Sequence, residues 1–87
     1  MDQLFFKVQQ HAHGKTYDIF YGDPDNIESA KYLGHVGMVV GSLNRPTGRW
    51  CYVMNDEQTM NWNAGGSLRQ AAIRLAHKNG VARDIKA

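Results

Sequence analysis

The chain has 87 residues, a single cysteine and a net charge of +2 at neutral pH. That length holds one α+β domain, residues 1–87, and leaves no room for a second core; the lone Cys51 cannot form an internal disulfide, so an oxidising compartment is not implied and a cytoplasmic one is expected. A hydrophobic content of 43%, with four Tyr, three Phe and two Trp, excludes wholesale disorder, and no run approaches the ~18 apolar residues of a membrane span.

The first ten residues, MDQLFFKVQQ, carry Asp2 where a secretory signal wants positive charge and have no sustained apolar run, so no signal is expected. Leu4 to Gln9 alternates as a strand, with Leu4, Phe6 and Val8 on one face and Phe5, Lys7 and Gln9 on the other. Thr16 to Tyr21 alternates in the same way, with Tyr17, Ile19 and Tyr21 together. HAHGK lies between the two runs, and its Gly14 can take positive φ, so the pair reads as an antiparallel hairpin. GDPDN at 22–26 is a turn. Asp25 and Glu28 make a D-x-x-E capping pattern that predicts a short helix through Ile27, Ala30, Lys31 and Leu33, stopping at Gly34.

Val36 to Leu43 predicts a central strand, with Gly37 and Gly41 on one face of it. After the NRPTG turn, RWCYVMN alternates Trp50, Tyr52 and Met54 against Cys51 and Val53. Asn55-Asp56-Glu57 is a turn, and Gln58 to Trp62 predicts a short last strand. The C-terminal helix is bounded on both sides: Ser67 and Gln70 form an S-x-x-Q capping box, and Asn79-Gly80 is the stop. Leu68, Ala71, Ala72, Leu75 and Ala76 share one helical face. Residues 82–87 are expected to fray. The order ββ(α)βββα predicts an antiparallel sheet of four to five strands with the C-terminal helix packed on one face.

Residue types that carry chemistry are sparse. His11-x-His13 is the one pair with metal-ligand spacing, and a structural zinc site needs two more ligands; no metal is expected there. Cys51 alternates with Trp50 and Tyr52 in a strand, a setting that does not generate a thiolate. The glycines match no phosphate-cradling motif, and no carboxylates or Ser-His-Asp set pair by spacing. Neither a cofactor nor catalytic residues are expected, and the chain reads as a non-enzyme.

Charge is uneven. Residues 1–29 carry two lysines against five carboxylates, whereas 30–87 carry eight Lys or Arg against three carboxylates. Arg45 and Arg49 flank the turn leading into Trp50 and Tyr52, and Arg69, Arg74 and Lys78 project from the last helix. Basic side chains interleaved with rings suit phosphates and bases, so the leading expectation is a nucleic-acid-binding protein using these five residues. Trp50 and Tyr52 are at the same time candidates for the core beneath the helix. The stretch from Val36 to Asn79, with TGRWCYVM and GGSLRQAAIRLAHK, resembles the β-β-β-α order of double-stranded RNA-binding and AP2-type DNA-binding domains. The double-stranded RNA-binding pattern also wants a first helix where this chain has a hairpin, and no functional residue is carried across.

The rival expectation is a protein-binding adaptor or inhibitor, of the compact kind that phages and mobile elements encode, acting through a sheet face or edge with Phe5, Phe20, Tyr21 and Trp62 exposed. A homodimer stays open, since small domains often gain stability by association. No membrane partner is expected.

Overall fold

The computed structural model describes residues 2–11, 14–40, 46–55, 60–61 and 64–86. Among these residues five antiparallel strands lie in sequence order, β1 (Gln3–His11), β2 (Gly14–Gly22), β3 (Lys31–Val40), β4 (Pro46–Met54) and β5 (Met60–Asn61), followed by one α-helix, α1 (Leu68–Lys78). The fold class is α+β, as the alternation of strand faces and the capped C-terminal segment imply.

Strand register carries the apolar alternation across the sheet. Leu4, Phe6 and Val8 stand opposite Tyr21, Ile19 and Tyr17; Tyr17 meets Val36, and Val36 meets Tyr52. This face looks towards α1. Ile19, Leu33, Val36, Trp50 and Tyr52 are buried there against Ala71, Leu75 and Ala76, so Trp50 and Tyr52 belong to the core. The small alanine side chains let the helix lie close over β3 and β4.

The helix ends follow from local chemistry. The Ser67 hydroxyl accepts from Gln70 N at 3.1 Å. Gln70 Oε1 reaches back one residue further than a reciprocal box requires and accepts from Gly66 N at 2.9 Å. At the other end Gly80 N donates to His77 O and Val81 N to Ala76 O, with Gly80 at φ +76°. These two bonds are the Schellman closure, which needs a residue tolerant of positive φ.

Two expectations need correction. The predicted short helix is only a 3₁₀ turn, Ile27–Ser29. Asp25 does not cap it; Asp25 N instead donates to Asp23 Oδ1 at 3.0 Å, and Ala30 is already extended. Lys31 and Tyr32 pair with Tyr21 and Phe20, and Leu33 is fully buried. A two-turn helix is marginal in isolation, so strand pairing and burial of Leu33 win. The segment after α1, expected to fray, turns back onto the core: Ala82 is buried and Ile85 packs against the cluster. Ile85 N bonds Ala82 O at 3.0 Å, and the His77 ring lies 3.1 Å from Ala82 O.

Candidate binding surface

A helix is about 10 Å wide and strands are about 4.8 Å apart, so one helix covers roughly two strands. Here α1 covers β3 and β4 and barely reaches β1. Among the described residues no second helix lies above the helix-side face of β1 and β2. Phe6 and Val8 are 50% and 49% exposed, and Met38, on the same face, is 39% exposed. Phe6 meets Tyr17 edge-on at 5.4 Å, and Tyr17 meets Trp50 at 5.9 Å. Between β1 and the flank of α1 lies a groove of about 590 Å³, lined mainly by Leu4, Phe6, Ile19, Leu68, Ala72 and Ile85.

The two sheet edges differ. At β4, Tyr52 and Val53 pair with β5, and Trp50 exchanges backbone bonds with Ala64 and Gly65 at 3.1 and 3.0 Å. At β1, the nine residues Gln3–His11 pair with β2 on one side and, among the described residues, with nothing on the other. A long edge strand of this kind offers unpaired backbone groups to another chain.

Among the described residues no helix covers the opposite face of the sheet. Phe5 stacks on Phe20 at 5.3 Å, and Phe20 contacts Tyr32 at 5.4 Å. In the next rows Lys7, Asp18, His35 and Val53 line up, then Gln9, Thr16, Gly37 and Cys51. Asp18 accepts from Gln9 Nε2 at 3.0 Å and from the Tyr32 hydroxyl at 3.4 Å. Partial burial, then the Asp18 charge and hydrogen bond, hold the Tyr32 phenol protonated to higher pH than usual. A hollow of about 500 Å³ is bordered by Thr16, His35, Gly37, Cys51 and Val53 of this face, together with His11 and with Tyr17, Met38 and Trp50 of the other. The Cys51 thiol donates to Gly37 O at 3.4 Å, and its burial raises its pKa, the reverse of nucleophile activation. The His11 ring meets Thr16 Oγ1 at 2.7 Å. His13 lies outside the described residues, and among those described no three His, Cys, Asp or Glu side chains converge as metal ligands.

The expected phosphate contacts are spread over three surfaces. Arg49 is exposed on the open face, on the side of Cys51 and Val53. Arg69 stands on the β1 flank of α1, at the groove. Arg74 and Lys78 are on the other flank, where they border a cleft of about 470 Å³ with Tyr52, Asn61 and His77. Arg45 lies outside the described residues. Of the alternative set, Phe5 and Phe20 are half-buried in the open face, Tyr21 is half-buried on the helix side, and Trp62 lies outside the described residues. Phe6, Val8 and Met38 were in neither set. Their signal was nevertheless present in the sequence, because a helix of 11 residues cannot cover five strands.

No family model matches the chain, and no curated protein or solved structure is significantly similar to it. Among the described residues no helix is long and apolar enough to cross a membrane.

Proposed function

We propose that this chain is a non-enzymatic protein-binding module, an adaptor or inhibitor, that engages its partner through the uncovered β1–β2 half of the helix-side face. The observation that carries this reading is the exposure of Phe6 and Val8 together on the helix-side face of the nine-residue edge strand β1, with Phe6 lining the groove beside α1. Apolar side chains scattered singly over a surface need no explanation; two at successive positions of one strand face, running on into an apolar groove, point to an interaction site. Main-chain pairing along β1 would add affinity, and the pattern of side chains on β1 would add specificity.

Affinity capture from nuclease-treated lysate of the native cells tests the reading, with wild type and Phe6→Lys as baits. The expected result is a protein partner that survives nuclease and is lost with Phe6→Lys. Capture that disappears with nuclease, or that Phe6→Lys leaves unchanged, contradicts it.

A second reading, nucleic-acid binding, is favoured by one feature: Arg74 and Lys78 stand one helical turn apart and share a cleft with His77 and the Tyr52 ring. It requires a salt-dependent affinity, with a log–log slope of roughly one unit per phosphate neutralised. A loss of slope in Lys78→Glu supports it; retention on DNA or RNA that ignores salt rules it out.

A further inference from the structure

We infer that the groove between β1 and α1 takes an acidic amphipathic helix from another protein, laid beside α1 so that it completes the helical layer over β1 and β2; this rests on the protein-binding reading above. The dimensions come first. Five strands span about 20–24 Å, and α1 occupies about half of that width. The remaining strip is floored by Leu4, Phe6 and Ile19 and walled by Leu68, Ala72 and Ile85. That is the apolar lining against which a helix sets residues at i, i+3, i+4 and i+7. An added strand at the β1 edge would lie in the plane of the sheet and leave this lining bare.

Charge selects the kind of helix. Arg69 is the single charged residue lining the groove among the described residues, and it is exposed at its rim. It occupies the second position of α1, where the helix dipole is positive and a cation is unfavourable. The first turn of α1 holds no acidic residue to offset it. The rim of the groove therefore presents a guanidinium beside the positive end of the helix dipole, over an apolar floor, while the exposed Asp2 and Asp84, next in sequence to Gln3 and Ile85, do not line it. A carboxylate on the polar flank of an incoming helix answers both the guanidinium and the dipole; a basic helix is repelled by both. A second copy of this chain fits less well, because its own helix already has its apolar face buried.

Two labelled synthetic peptides of about 16 residues test this, with the same leucine face and with either Glu or Lys along its flank. Each is titrated into the full chain by fluorescence anisotropy. The Glu peptide is expected to bind about tenfold more tightly than the Lys peptide at moderate salt, and Arg69→Glu is expected to reverse that preference. Phe6→Lys should weaken both peptides, and Lys78→Glu, on the far flank of α1, neither. Arg69 is exposed, so its variant keeps the fold. Equal affinity for the two peptides, no binding of either, or an unchanged preference in Arg69→Glu overturns the inference. If those failures occur while a nuclease-resistant partner still depends on Phe6, the protein-binding reading stands without it.

Discussion

Replacing Gly34 by alanine should strongly destabilise the protein, whereas the same change at Gly37, three residues away on β3, should be almost silent. Gly34 has φ +140°, a region that costs a residue with a side chain about 1–3 kcal/mol. A Cβ there would land on the Val53 carbonyl oxygen and lie 3.1 Å from Asn55 N. Both obstacles are backbone, so relief means prising β3 from β4 at the Gly34–Met54 pair. That strains the adjacent bond from Asn55 N to Leu33 O, now 3.1 Å long, whose loss adds about 1 kcal/mol. The sum, about 2–4 kcal/mol, is a large share of the total stability of roughly 4–13 kcal/mol expected for a domain of this size. At Gly37 the nearest atom to an added methyl is Thr16 Cγ2, at an ordinary 3.5 Å; the change there should stay within about 1 kcal/mol, with lower unfolded-state entropy favouring alanine. Urea unfolding with a constant m-value reads both. A Gly34→Ala midpoint close to wild type, or a Gly37→Ala protein equally weakened, refutes the reasoning.

Ser67→Ala removes the cap that satisfies Gln70 N; it should cost about 1 kcal/mol, seen as a fall of about 4–8 °C in thermal midpoint. Leu75→Ala empties a fully buried position beneath the helix and should cost about 3–5 kcal/mol in the same melts. Cys51 and Tyr32 both have raised pKa values in the fold, so the unfolded chain releases these protons first as pH rises. Their contribution is complete below about pH 8.5 and is lost progressively above it; a urea midpoint that stays flat from pH 8 to 11 would contradict this. For the same reason iodoacetamide should alkylate Cys51 at pH 7.5 more slowly in the native protein than in urea, as mass spectrometry can follow.

Much of the fold was legible because its determinants are local. Ser67, Gln70, the apolar period and Asn79-Gly80 define α1 within one short stretch, and the alternation in Leu4–Val8 and Tyr17–Tyr21 assigns strand faces correctly. Reading failed where distant residues decide. Asp25 and Glu28 look like a helix start, yet Lys31, Tyr32 and Leu33 are claimed by β2 and the core. Gly34 resembles a helix stop, yet what demands glycine there is a carbonyl from β4. The candidate surface failed for a different reason. The sequence places Phe6 and Val8 on the core side of β1, and only the width of the sheet against one helix reveals that they are left uncovered. The dispersal of the basic residues was within reach of simple geometry: at 100° per residue, Arg69 and Arg74 stand about 140° apart around α1.

Backbone amide shift mapping by NMR, with the acidic helical peptide added to the labelled full chain, tests the claim that the β1–β2 half of the helix-side face is the binding surface. The account predicts saturable shifts at Leu4, Phe6, Val8, Arg69, Ala72 and Ile85, with His35, Tyr32 and Lys78 unmoved. Shifts centred on the open face around Phe20, Tyr32 and Gly37, or on the Arg74–Lys78 flank, would contradict it.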